Sequence, residues 1–416
     1  MKIAIVHPSL AVKGGADNIV VWLAWGLGRR GHDVTIFTGG YDAALWPGEY
    51  TAGLNVVVLR HTERFLRSTR LALTRLGLVL SRKLRGFDLV NCHNWPANIW
   101  VARARRMSGR FPKVVWYCQE PSRKLYWEIT DTNLVAHISR AGHSQFDAHL
   151  REEAERDRRA ATRSSRRMRS RARDIEFDRA ALEMMDSVLV NSRFSKGSFE
   201  AVYGVSPALC YLGIPFGDAA APSSGKGDYF CVVSPLRTRK NVQNVVEAMN
   251  VLVNQWNVQG LKLRIVGDGV DRGALEGLVA RYGLRPEVEF SGHLPDGELP
   301  GVYARARLAV YVPIDEPFGL IPLEAMACGT PVIASDHGGS LETVVHGETG
   351  LHVNPFQPEA IAAAIRELYF DDARIAAMGA RGRALVRERF GLDGFLDRFE
   401  EMALGKRGLR RRQDGV

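Results

Sequence analysis

Short β-branched, apolar runs alternate along this chain with stretches of helical periodicity, and they do so in two separate series. The first series predicts strands at 3–6, 33–37, 55–59, 89–92, 114–117 and 187–190, with helices such as 18–30 between them. The second predicts strands at 229–233, 262–266, 288–290, 308–312 and 331–334, with helices at 242–254, 271–282 and 321–327. Runs this short and apolar are strands buried on both faces, which implies parallel sheets covered by helices. Two series imply an α/β protein of two doubly wound domains, and a length of 416 residues accommodates both. The break is visible at 217–227, which is rich in Gly, Ala and Ser and has no periodicity. The expected division is therefore 1–205, a linker at 206–226, 227–388, and a last helix with a basic tail at 389–416. In open parallel sheets ligands sit at the carboxyl ends of the strands. The site is expected on strand-end loops of both domains, facing each other across a cleft.

Composition removes several classes. Cys92, Cys118, Cys210, Cys231 and Cys328 form no C-x-x-C pair, so neither a zinc site nor a disulfide framework is supported, and a reducing compartment fits. The apolar runs are far shorter than the roughly 20 residues of a membrane helix. The opening Met1-Lys2-Ile3-Ala4-Ile5-Val6 reads as a strand and not as a signal peptide. These features predict a soluble cytosolic chain. Its net charge of +10 asks for an anionic partner. Much of that charge lies in 151–173, an apparent insertion with ten arginines against four acids. A second basic stretch, 64–85, interleaves arginine with leucine, and the tail is basic at 406–412. Such segments are read as solvated faces or as contacts with an anionic lipid surface. The 151–173 segment lacks the aromatic residues that base stacking uses, so no nucleic acid is expected.

The most informative stretch runs from Asp315 to Ser335. A strand ends just before it, Pro317, Gly319 and Pro322 shape a turn, and a helix begins near Pro322. The first N–H groups of a helix are unpaired and favour an anion such as a phosphate. Glu316 and Glu324 flank that position. Carboxylates beside a phosphate repel it, so these two suit neutral hydroxyls, which sugars supply. The spacing alone fits a capped helix with two ordinary glutamates equally well. After the first strand of the second series, Arg237, Arg239 and Lys240 place three cations within four residues. Such a loop can neutralise a diphosphate. Gly267 and Gly292 end two further strands, and Gly14-Gly15 follows the opening strand as a tight turn without a dinucleotide fingerprint.

The stretch from Glu316 to Glu324 resembles the E-x7-E motif of glycosyltransferase family 4, a family of retaining enzymes with the GT-B fold. Asp336-His337-Gly338-Gly339 and Gly347-Glu348-Thr349-Gly350 continue the likeness. The resemblance implies that Glu316 contacts the transferred sugar, that the backbone of Phe318, Gly319 and Leu320 binds the diphosphate, and that Glu324 binds the ribose. It implies a phosphate-binding role for Lys240, which matches the lysine of a G-R-L-x-x-x-K motif. Pro235 stands where that motif has arginine, so Arg237 or Arg239 must supply the second charge. Gly14, Gly15, Gly267 and Gly292 fall on turns that border the donor in the family.

A second departure lies at Cys118-Gln119-Glu120-Pro121-Ser122-Arg123, where many relatives read C-H-x-P-x-R. Gln119 cannot act as a general base. In retaining enzymes of this kind the leaving phosphate takes the acceptor proton, so the change is survivable. His93 is the nearest titratable candidate, although a histidine at a strand end is commonly a packing residue. No D-x-D sequence occurs, so neither metal nor cofactor is expected.

The sequence therefore predicts a metal-independent hexosyltransferase that takes mannose or glucose from a UDP- or GDP-sugar. The acceptor would be a hydroxyl of a glycan, a lipid-linked saccharide or a small molecule, and the enzyme would sit in the cytoplasm or peripherally at the inner membrane surface. The competing readings are a non-catalytic basic adaptor for membrane or nucleic acid on the same fold, and a sugar-nucleotide epimerase.

Overall fold

The structure is a computed structural model that describes residues 1–59, 70–130, 165–215 and 225–405. It forms two compact units: 1–59, 70–130, 165–215 and 392–405 in the first, and 225–391 in the second.

The first unit is built on β1 (Lys2–His7), β2 (Asp33–Thr38), β3 (Asn55–Val58), β4 (Leu89–His93), β5 (Lys113–Tyr117), β6 (Ser187–Val190) and β7 (Ala208–Leu209). The sheet order is β3-β2-β1-β4-β5-β6-β7 and every pairing is parallel. The central strands are mostly apolar because helices cover both faces, with Asn91 and His93 of β4 as buried polar exceptions. Val6, Val90, Val114 and Trp116 pack on Trp100 and Phe199 in one core.

The second unit repeats the plan with β8 (Phe230–Val233), β9 (Leu263–Val266), β10 (Val288–Gly292), β11 (Ala309–Tyr311), β12 (Val332–Ser335) and β13 (Gly350–Val353). Its parallel order is β10-β9-β8-β11-β12-β13. In each unit the chain leaves its first strand in one direction and later returns to build on the other side. The switch falls between β1 and β4 in the first unit and between β8 and β11 in the second. The loops leaving those strands diverge there and leave room for a ligand.

Two strands go beyond the sequence expectation. β7 is only two residues long. β13 opens with a glycine, a poor strand former, because the neighbouring strand passes so close that a Cβ on Gly350 would lie 1.9 Å from the Val332 carbonyl oxygen. The helix expected at 242–254 is an α-helix only over Val242–Asn250 and continues as a π-turn over Val251–Gln255.

The last helix, Leu392–Leu404, belongs to the first unit. Arg30 Nη1 reaches Glu400 at 2.6 Å and Asp397 at 2.7 Å, and the Phe395 ring meets the edge of Tyr117. Of the basic stretches, 64–85 yields the helix Arg70–Leu84, and Ser165–Leu182 begins inside 151–173. The parts at 60–69, 151–164 and 406–412, and most of the 217–227 linker, lie outside the described residues.

Candidate active site

Of the residues singled out in the second unit, Lys240 and Glu316 meet at its switch point. Lys240 ends the short turn Thr238–Lys240, in the loop that leaves β8. Glu316 lies in the loop that leaves β11. Lys240 Nζ is 2.8 Å from Glu316 Oε2 and 3.2 Å from the Tyr311 hydroxyl. The Ile314 N–H donates to the Arg239 carbonyl at 2.9 Å, which ties the two loops together through their backbones. Arg237 is exposed and Arg239 half-buried in the same turn.

The loop carrying Glu316 is held from several sides. Asp315 is fully buried with φ +51°, a left-handed conformation uncommon outside glycine. Its N–H donates to His337 Nε2 at 3.3 Å, and the imidazole stacks on Phe356. An accepting Nε2 in a neutral ring requires the proton on Nδ1, which faces Asp336 Oδ1 at 3.3 Å. The Gly339 N–H donates to the Glu316 carbonyl at 2.8 Å. Gly319, with φ +93°, caps the helix Leu320–Ala327, which starts one residue before the expected 321–327. The Phe318 side chain is buried against Phe390, so its contribution at the surface is its backbone. Glu324 sits one turn into the helix, and Tyr303 donates to its Oε2 at 3.2 Å.

Gly267 and Gly292 end the adjacent strands β9 and β10, and the Gly267 N–H donates to the Gly292 carbonyl. A Cβ on Gly267 would lie 1.9 Å from the Ser234 carbonyl oxygen, so only glycine fits where that turn passes the loop leaving β8.

In the first unit the switch point gathers Gly14, Gly15 and Gln119. The helix Gly15–Arg29 starts on Gly14. Gln119 Nε2 donates to the Ala16 carbonyl at 3.2 Å, and its N–H donates to Asn94 Oδ1 at 3.1 Å. Gln119 thus braces the glycine turn. His93 is enclosed: it has no exposed surface, its Nε2 is 2.6 Å from Asn91 Oδ1, and its ring stacks on Tyr117. Burial, helped by His7, keeps it neutral, well below the usual histidine range. That is the packing arrangement. The titratable pair that reaches the edge of this turn is His7 and Asp17, 3.4 Å apart. Burial lowers His7 to about 4 and raises Asp17 to about 7.

Sequence reasoning missed Tyr303, Tyr311, His337 and the His7–Asp17 pair. Two signals were present. Tyr303 and Tyr311 have the same eight-residue spacing as Glu324 and Glu316, and Asp17 falls in the first turn of a helix beside two glycines.

Two parallel, doubly wound units, each with its own switch point, are the plan of the GT-B glycosyltransferases. Two family models match the chain, Glycosyltransferase Family 4 over residues 13–215 and Glycosyl transferases group 1 over residues 218–385. The chain belongs to this glycosyltransferase family. The human alpha-1,3/1,6-mannosyltransferase ALG2 is 27% identical over 437 aligned positions, which cover 95% of this chain and 94% of the relative. The GDP-mannose-dependent alpha-(1-6)-phosphatidylinositol monomannoside mannosyltransferase of Mycolicibacterium smegmatis is 33% identical over 245 positions, 54% of this chain and 64% of that protein. Among solved structures, Anabaena Alr3699/HepE in complex with UDP and glucose superposes with a TM-score of 0.70 at 18% identity, covering 98% of this chain and 100% of that one. WaaG, a glycosyltransferase involved in lipopolysaccharide biosynthesis, superposes with a TM-score of 0.67 at 17% identity, covering 97% and 100%. At these identities the structures establish the fold.

Proposed function

We propose that this enzyme transfers mannose from GDP-mannose to a hydroxyl of a glycan or lipid-linked acceptor, with retention of anomeric configuration and without a metal. The Lys240–Glu316 contact carries the reading. It brings the cation suited to a diphosphate against the carboxylate suited to a sugar hydroxyl, at the switch point where such a sheet binds ligands. The names of the human and mycobacterial relatives favour mannose over glucose.

In this scheme the second unit binds the donor. Lys240, an arginine beside it and the first N–H groups of Leu320–Ala327 neutralise the departing diphosphate, which is the part a divalent cation otherwise plays. Glu316 accepts hydrogen bonds from the hexose and Glu324 from the ribose. Gly267 and Gly292 form the floor beside the nucleotide. The first unit carries the acceptor side, and the leaving phosphate takes the acceptor proton.

We further place the enzyme peripherally on an anionic membrane. Leu78 and Val79 are exposed on the helix Arg70–Leu84, flanked by exposed Arg75, Arg82 and Lys83. Each such cation near an anionic surface contributes about 1 kcal/mol. Among the described residues no helix is long and apolar enough to cross a membrane.

The test is transfer from radiolabelled GDP-mannose, UDP-glucose and UDP-galactose to lipid and saccharide acceptors in buffer containing EDTA, with the product anomer read by NMR. GDP-mannose is expected to be the donor, with an α-linked product and activity in EDTA. Consumption of donor into an epimeric nucleotide sugar without acceptor would favour the epimerase reading instead.

A further inference from the structure

Two buried tyrosines stand behind the two glutamates, one directly and one through Lys240. Tyr303, in the helix Leu299–Arg305, is 1% exposed and its hydroxyl meets Glu324 Oε2 at 3.2 Å. Tyr311, the last residue of β11, is 3% exposed. Its hydroxyl accepts from Lys240 Nζ at 3.2 Å, and the same Nζ meets Glu316 Oε2 at 2.8 Å. Burial, reinforced by the neighbouring carboxylate, pushes both phenols well above their usual range, so each remains a donor across the working pH. A phenol that hydrogen-bonds a carboxylate, or the ammonium paired with it, fixes where that carboxylate points.

We propose that Tyr303 and Tyr311 are positioning residues that divide donor recognition between them. Tyr311 holds Lys240 and Glu316 in place for the diphosphate and the transferred hexose. Tyr303 holds Glu324 in place for the ribose. This rests on the donor-site reading above and adds a distinction to it. Charge develops on the hexose and diphosphate as the glycosidic bond breaks, so groups that hold them act most strongly in the transition state. The ribose is unchanged during transfer, so its contacts stabilise ground and transition states alike. Loss of a transition-state contact lowers kcat, whereas loss of a uniform contact raises KM and leaves kcat alone.

The experiment compares Tyr311→Phe and Tyr303→Phe with the wild-type full chain. The readouts are donor kinetics with GDP-mannose, calorimetric Kd for GDP and for inorganic pyrophosphate, and the thermal midpoint. Tyr311→Phe is expected to lower kcat about tenfold or more with donor KM within about threefold. Tyr303→Phe is expected to raise donor KM and the GDP Kd about tenfold with kcat within about twofold. Pyrophosphate has no ribose, so it should bind Tyr303→Phe as it binds wild type. Equal losses of kcat and KM in both variants, as a general loosening of the site would give, overturn the assignment, and so do two variants that behave as wild type. Should a phenylalanine variant fail to fold, Glu324→Gln must reproduce the KM-only effect, and a fall in its kcat overturns the division. A wild-type protein that binds neither GDP nor UDP refutes the donor site itself. Wild-type binding with unaltered variants refutes only the tyrosines.

Discussion

Lys240 and Glu316 leave the ends of two adjacent strands, β8 and β11, and their side chains meet at 2.8 Å. About a fifth to a quarter of each side chain stays open to solvent (25% for Lys240 and 19% for Glu316), so the pair is reachable by ligand and adds little to stability. Lys240→Ala and Glu316→Gln are each expected to cut transfer by about a hundredfold or more while the thermal midpoint moves by only a few degrees. Steady-state rates and differential scanning calorimetry on the same preparations check this. Full activity in Glu316→Gln would remove the glutamate from the reaction.

Gly319 supplies a left-handed residue at the start of Leu320–Ala327. An alanine there is expected to lose about 1–2 kcal/mol of stability. It should also weaken GDP binding, because the N–H groups proposed to meet the diphosphate follow it directly. Urea unfolding and GDP titration measure the two effects separately.

Gly267 is constrained by the neighbouring loop. A Cβ would overlap the Ser234 carbonyl oxygen at 1.9 Å. Gly267→Ala is therefore expected to destabilise by roughly 3 kcal/mol or more, through forced movement of the loop leaving β8. Urea unfolding shows it, and an unchanged midpoint would mean that the turn relaxes at no cost.

The His7–Asp17 pair gives a pH signature. Burial lowers His7 from 6.5 to about 4 and raises Asp17 from 3.8 to about 7. Between pH 4 and 6.5 the unfolded chain carries a proton on His7, and the folded chain carries one on Asp17. The counts match, so the pair contributes almost no slope. In Asp17→Asn the folded state lacks that proton, and stability relative to wild type is expected to fall as pH drops from 6.5 towards 4. In His7→Gln the sign reverses: relative stability falls as pH rises from about 4 towards 7. Each slope is at most about 1.4 kcal/mol per pH unit. Urea titrations at pH 4.5 and 6.5 read it, and parallel profiles for wild type and both variants would contradict the assignment.

The parallel sheets were legible because buried strands of four to six residues, such as those holding Val90 in β4 and Ile265 in β9, are mostly apolar where helices cover both faces. β13 was hidden by Gly350, whose presence answers to the backbone of β12 and not to strand propensity. The Glu316–Glu324 spacing and the charge at a strand end singled out Glu316, Glu324 and Lys240, and the fold brings Lys240 and Glu316 into contact. The supports of those groups were not legible. Tyr303, Tyr311 and His337 act through the tertiary fold, and nothing local in sequence distinguishes a core tyrosine from one whose hydroxyl ends on a carboxylate. His93 drew attention as a titratable residue at a strand end. Its depth behind Tyr117 depends on packing that sequence periodicity does not report.

The most direct test of the account is nucleotide binding by the intact chain, with Lys240→Ala as the control. GDP at 100 times its Kd should stabilise the wild-type protein by about 2.7 kcal/mol, read as a rise in the thermal midpoint, and Lys240→Ala should lose most of that rise at the same concentration. A wild-type midpoint indifferent to both GDP and UDP, or an equal rise in Lys240→Ala, would contradict a diphosphate site at the switch between β8 and β11.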